Sequence, residues 1–216
     1  MPKIDADNLF FETIQRIINF GGMGYREAAA SAGEGSKLFS QAAAHVIATI
    51  GCSFDLYSLG RFPPSAFMAI TAIEEAARAE LLIYVRKSEG ETKGRPPLKF
   101  HVAKHVAGVR PTVFVGSFLP RLLGNEVCSR LLKEAQNGTL TRLREAALYF
   151  ELSGTGLQVP AVIVNQRRSY ELLALAVECA DDILMGYTSE TTALEAKLTE
   201  IKGLLEKTSY SDLPSA

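Results

Sequence analysis

Apolar residues recur along most of this chain at three- and four-residue steps, the period of a helix with one buried face. Phe39, Ala43, Val46, Ile50, Phe54 and Tyr57 form such a stripe and predict a long helix over about residues 37–59. Gly60-Arg61-Phe62-Pro63-Pro64-Ser65 reads as a helix–helix connection, with Pro64 placed where a first helical turn tolerates it. A second long helix, about residues 64–86, should fold back antiparallel because the connector is short. Its first half is apolar around most of the cylinder, which implies a central position in a bundle.

The rest of the pattern is also helical. Residues 8–20 read as a short amphipathic helix with Phe10, Ile14, Ile17 and Ile18 on one side, stopped by Gly21-Gly22 and followed by small residues up to Ser36. Residues 87–97 are polar, with two glycines and two prolines, and read as an exposed loop. Shorter helices are expected over about 98–108, 112–123 and 126–136. Asn137-Gly138 is a stop-and-turn signal, and Thr139 is placed to cap the next helix. The one strand-like region, 150–164, contains Pro160 and has no obvious partner strand, so it reads as an irregular connection. Asn165 should cap a helix to about 187, and Thr188 or Ser189 a last helix to about 207. The predicted class is all-α, an up-and-down helical bundle over 37–207. Residues 1–36 form an N-terminal helix and linker, and 208–216 a loose tail.

Composition leaves that picture in place. At 216 residues and 47% hydrophobic, the chain is long enough to bury a sizeable core. A formal net charge of −1 gives no global pull toward nucleic acid or a membrane surface. Cys52, Cys128 and Cys179 are far apart, odd in number and never paired as CxxC, which reads as reduced, buried thiols of a cytoplasmic protein. The first residues lack the layout of a signal peptide, and no stretch approaches the ~18 apolar residues of a membrane span.

Charge is unexpected at one place. The apolar run from Ala66 reaches Glu74, Glu75 and Arg78, and a linker later Phe100-His101-Val102-Ala103-Lys104-His105 sets three basic residues at helical spacing. Glu74 shares a helix face with Ile70, Ala77 and Leu81, so it points toward the core. There an unpaired carboxylate costs several kcal/mol, and Arg78 or Lys104 would have to pair with it. The alternative is a buried acid that holds and charges a partner on the following helices. His101, Lys104 and His105 lie on one face; a neutral His serves as a base near pH 7 and a Lys supplies fixed positive charge. Arg95 precedes His101 by six residues. An Arg gripping a phosphate while a His moves a proton is what attack on an RNA phosphodiester by its own 2′-hydroxyl needs. His101 and His105 beside the two glutamates also resemble part of a divalent-ion site. A di-iron bundle, however, requires Glu-x-x-His on two helices, and that pattern is missing; no metal or cofactor is expected. Arg142, Arg144, Arg167 and Arg168 read as solvated faces, the last two as a possible edge of an RNA-facing patch.

These segments, in order, resemble the AbiV family of bacterial abortive-infection proteins, within the wider HEPN group of helical domains. Ala72-Ile73-Glu74-Glu75-Ala76-Ala77-Arg78 is similar to that family's alanine-hydrophobic-Glu-Glu-x-x-Lys, with Arg78 where the family has lysine. Phe100-His101-Val102-Ala103-Lys104 is similar to its aromatic-His-x-x-Lys, and Arg144-Glu145-Ala146-Ala147-Leu148-Tyr149-Phe150 to its Arg…Leu-Tyr-Val segment. The resemblance covers about residues 37–185. It implies a HEPN-like bundle, a homodimer with polar residues near a shared cleft, and a role in phage defence. HEPN relatives commonly cut RNA without metal, and the Arg95-to-His101 spacing fits their nuclease pattern, although Pro96-Pro97 takes Arg95 off the helix of His101.

Two functions follow as expectations. In the first, the chain is a metal-independent ribonuclease. His101 is the acid–base group, Arg95 and Lys104 bind phosphate, and Glu74 and Glu75 orient them. Arg78 and His105 complete the polar network, and Tyr149 donates a hydrogen bond. In the second, the same network only fixes helix register, and the protein binds a phage or ribosomal protein.

Overall fold

The structure is a computed structural model that describes residues 32–82, 100–154 and 156–214. The helix expected over 8–20, the loop over 87–97 and Arg95 lie outside the described residues. The described part is a helical bundle: α1 (Ala32–Ser58), α2 (Phe62–Leu82), α3 (His101–Gly108), α4 (Phe118–Leu123), α5 (Asn125–Gln136), α6 (Thr139–Ala146), α7 (Pro160–Ile163), α8 (Gln166–Leu184) and α9 (Ser189–Glu206).

The two stripes read from the sequence build the centre. Phe39, Ala43, Val46, Ile47 and Ile50 of α1 are buried, and α2 returns against them through a tight turn at Gly60, whose φ is 70°. Ser53 and Ser65 fasten the pair: the Ser53 hydroxyl donates to the Ser65 carbonyl at 2.8 Å, and the Ser65 hydroxyl donates to the Ser53 carbonyl at 2.9 Å. Both are fully buried, and each satisfies the other's backbone inside the core. The small residues of α2 at 66, 69, 72, 76 and 79 are buried and let it sit between α1 and α8.

Asn165 caps α8 as expected, its side chain accepting from the Arg168 amide at 2.8 Å. Thr188 opens α9 with a reciprocal capping box to Thr191. Four sequence readings need correction. The helix expected over 112–123 is two pieces, a 3₁₀ turn at Pro111–Phe114 and α4, and the chain bends between them where Gly116 passes against the Glu178 carboxylate. Thr139 is the first residue of α6 rather than its cap; Gly138, in the left-handed conformation at φ 80°, holds that place. The region read as irregular contains a β-hairpin, β1 (Glu151–Ser153) paired antiparallel with β2 (Gly156–Gln158), so the missing partner strand lay three residues further along the same chain. Cys52 is exposed, whereas Cys128 and Cys179 are buried.

The stretch read as a loose tail carries a 3₁₀ turn at Tyr210–Asp212 and a buried Leu213. The Tyr210 ring stacks on Tyr170 at 6.1 Å, and the buried Tyr170 hydroxyl donates to the Leu205 carbonyl at 2.8 Å. Tyr170→Phe removes that donor and leaves the Leu205 carbonyl with the Thr208 amide, which donates to it at 2.9 Å. It is expected to lower stability by about 1 kcal/mol, read from the urea midpoint.

Candidate functional site

Gly108 brings α3 against α2. A Cβ at that position would lie 2.9 Å from the Ile73 carbonyl oxygen and 2.8 Å from the Ile73 Cγ2 atom. Only a bare backbone allows this approach, and it sets the basic face of α3 over the residue that follows Ile73.

That residue is Glu74, 2% exposed. Its Oε2 accepts from Lys104 Nζ at 2.9 Å, and its Oε1 lies 2.8 Å from His101 Nδ1. His105 Nε2 is 3.0 Å from the same Oε1, close but out of line for a hydrogen bond, and Arg144 Nε of α6 stands 3.7 Å away. Thr141, also on α6, places its hydroxyl 3.3 Å from His105 Nδ1. The Arg144 guanidinium lies 4.8 Å over the Phe67 ring. One carboxylate therefore gathers side chains from α3 and α6 onto α2.

Burial alone would raise the Glu74 carboxyl, but the His105, Lys104 and His101 groups around it outweigh burial and hold it at about 2, below its ordinary 4.5. An ionised carboxylate only accepts, so His101 presents Nδ1–H to it. In the neutral ring the lone pair then sits on Nε2, on the far side from Glu74. The His101 side chain is 40% exposed, against 0% for His105 and 10% for Lys104. His101 is the imidazole of the cluster that an outside molecule can reach.

The Glu74 shift fixes the sign of a pH effect. A carboxylate lowered by folding adds stability that is fully present above pH 4.5 and disappears as pH falls toward 2. The loss is on the order of 3 kcal/mol. Urea midpoints measured across that window should fall with acid, and Glu74→Gln should flatten the slope.

The expected members of the site separate into three groups. Glu74, His101, Lys104 and His105 come together. Glu75 does not join them: it bonds Arg78 at 2.8 Å on the outer side of α2, where the Arg78 side chain is 57% exposed. Arg78, one turn from Glu74, therefore serves Glu75. Such a surface pair contributes little, and Arg78→Ala should change stability by less than about 0.5 kcal/mol, read from the urea midpoint. Tyr149 also stands apart, exposed beyond the end of α6. Arg95 is outside the described residues.

Sequence reasoning missed Arg144 and Thr141. Arg144 lies one turn after the fully buried Leu140 on α6, and that inward position was the available signal. Arg167 and Arg168 are committed to the protein itself. Arg168 bonds Glu134 and Glu171, Arg167 lies 4.4 Å over the Tyr210 ring, and Tyr210 donates to Glu171. Among the described residues no group of three or more His, Cys, Asp or Glu side chains is arranged to hold a metal ion, and no helix is long and apolar enough to cross a membrane. No protein-family model, no curated protein and no solved structure matches the chain.

Proposed function

We propose that the Glu74 cluster is the acid–base centre of a metal-independent endoribonuclease, and that the protein is a cytoplasmic phage-defence effector that arrests translation by cutting RNA. The observation that carries the reading is the Glu74–His101 pair. A buried carboxylate fixes Nδ1 of a half-exposed imidazole at 2.8 Å and leaves the Nε2 lone pair free of it. That is the tautomer and orientation a general base needs. The resemblance of the α2, α3 and α6 segments to AbiV and HEPN proteins supplies the RNA substrate and the defence role.

The roles shift from those expected of the sequence. Lys104 is buried on Glu74 and holds the carboxylate and the local positive field. Phosphate contact falls to Arg144, whose side chain is partly open, and to Arg95. His101 Nε2 takes the 2′-hydroxyl proton as that oxygen attacks phosphorus. The P–O5′ bond breaks, the 5′ oxygen takes a proton from water, and the hydroxide left takes the proton held by His101, so the products are a 2′,3′-cyclic phosphate and a 5′-hydroxyl end with the neutral imidazole restored.

The test is RNA degradation in EDTA by the wild type and His101→Ala at equal folded concentration. The wild type should cut and the variant should lose about 100-fold or more, with melting little changed. Cellular RNA left intact by the wild type, with and without Mg²⁺, overturns the reading.

A second reading has its own support. Glu74, Lys104 and His105 are all buried, so most of the cluster serves to register three helices. The protein is then a non-catalytic module that binds a phage or ribosomal protein. In that case Glu74→Gln and Lys104→Ala lower the melting temperature, and His101→Ala leaves any growth arrest intact.

A further inference from the structure

Two imidazoles lie against one carboxylate oxygen. His101 Nδ1 and His105 Nε2 stand 2.8 and 3.0 Å from Glu74 Oε1, and the His105 ring is fully buried. At that distance an ionised carboxylate repels a ring lone pair and attracts an N–H, even one out of line. His105 therefore carries its proton on Nε2. In the neutral ring the lone pair then falls on Nδ1, inside the protein, where an acceptor without a donor is costly. Among the described residues Thr141 supplies that donor, with its hydroxyl 3.3 Å from Nδ1. Thr49 and Thr71 return their hydroxyls to the carbonyls four residues back on their own helices, at 2.9 and 2.8 Å. The Thr141 hydroxyl leaves α6 and crosses to α3. The two rings thus hold opposite tautomers on the same oxygen. His101 turns its bare nitrogen away from Glu74, and His105 turns its own toward α6.

We infer that Thr141 is a positioning residue of the Glu74–His101 pair, acting through His105. Donors run from Thr141 to His105 and from His105 to Oε1, where His101 meets the same oxygen; Lys104 holds Oε2 at 2.9 Å. With both oxygens held from α3, the carboxylate keeps one orientation, and so does the ring of His101. The contact from His105 to Oε1 is out of line and weak by itself. Without the Thr141 hydroxyl the buried Nδ1 lone pair loses its donor. The ring then gains by moving its proton or by turning over, and either change takes the Nε2–H from Oε1. The inference rests on the proposed catalysis only for its effect on activity; the state of the two rings is read without RNA.

Long-range proton–nitrogen NMR correlations of the ¹⁵N-labelled full chain test it at about pH 8, where ordinary imidazoles are neutral. The chain has three histidines, so His45→Gln and His101→Gln complete the assignment. The wild type should show His105 protonated on Nε2 alone and His101 on Nδ1. Thr141→Val, which keeps the shape of a half-buried side chain, should put His105 into a mixture of both forms and reduce the His101 Nδ1–H signal. Thr141→Ser should restore the wild-type pattern. In the RNA assay Thr141→Val should lower kcat by about 10-fold or more with KM changed less than about 2-fold, and Thr141→Ser should recover it. Should Thr141→Val fail to fold, Thr141→Ala makes the same test. A wild-type His105 protonated on Nδ1, or rings that ignore the loss of the hydroxyl, overturns the inference. So does an unchanged kcat in a variant whose rings have changed. A wild type that cuts no RNA overturns the proposed catalysis instead, and the ring spectra still decide the part played by Thr141.

Discussion

Glu74→Ala is expected to melt about 10 °C below the wild type. Among the described residues the carboxylate is the acidic group paired with Lys104, His105, His101 and Arg144, and Lys104 and His105 are themselves buried. Removing it leaves Lys104 without its hydrogen-bond acceptor in a place that water barely reaches, and takes from His105 the carboxylate 3.0 Å away. Breaking a buried pair from one side costs about 3–5 kcal/mol, and for a chain of this size each kcal/mol moves the melting temperature by about 2–4 °C. Differential scanning calorimetry at pH 7 measures it. Glu74→Gln should do less harm, because the amide oxygen still accepts from Lys104. A Glu74→Ala protein that melts within 2 °C of the wild type would mean that α3 does not depend on this carboxylate, and that the cluster is looser than its distances imply. The comparison with Arg78→Ala matters here. The two changes act on neighbouring pairs of the same helix, one buried and one solvated, and only the buried one should register strongly.

Gly108→Ala is the second large effect, and it works through geometry instead of charge. The added methyl meets the Ile73 carbonyl and Cγ2 within 3 Å. A backbone oxygen cannot step aside, so α3 must lift away from α2. Overpacking of this kind costs about 1–3 kcal/mol. The further consequence concerns the site: a shift of α3 by even half an ångström lengthens His101–Glu74 and Lys104–Glu74 together. The expected result is a melting temperature lowered by several degrees and, for the proposed RNA-cutting activity, a loss larger than stability alone explains. Activity retained at a lowered melting temperature would show that the Glu74–His101 distance is not what activity depends on.

Much of the architecture was legible in the sequence because it rests on repeated signals. The stripe from Phe39 to Tyr57 recurs often enough to outvote any single exception, and the Asn165 and Thr188 caps are local chemistry that needs no knowledge of the fold. Glu74 was legible for a related reason: a charge on the inward face of an apolar helix demands a partner, and Lys104 was the nearest candidate on the next one. What escaped was decided by tertiary context. Glu75 and Arg78 looked like site residues by adjacency, yet the helix turns them outward by about 100° per residue. The hairpin was lost because Pro160 and the short strands argued against a sheet, and a three-residue strand leaves almost no periodicity to read. Arg144 carries only a weak mark, its place one turn after the buried Leu140. The packing of α6 on α2 is what brings it to Glu74 and over the Phe67 ring.

The docking of Tyr210 onto α8 has a consequence for biogenesis. Helix α8 packs against both α1 and α2, yet Glu171 and Tyr170 on it receive contacts from Tyr210, 39 positions after Glu171. During vectorial synthesis α1 and α2 leave the ribosome before α8, with broad apolar faces that wait for it, and α8 in turn waits for residues 210–213. Until those residues emerge, the nascent protein presents sticky helical surface of the kind that chaperones engage.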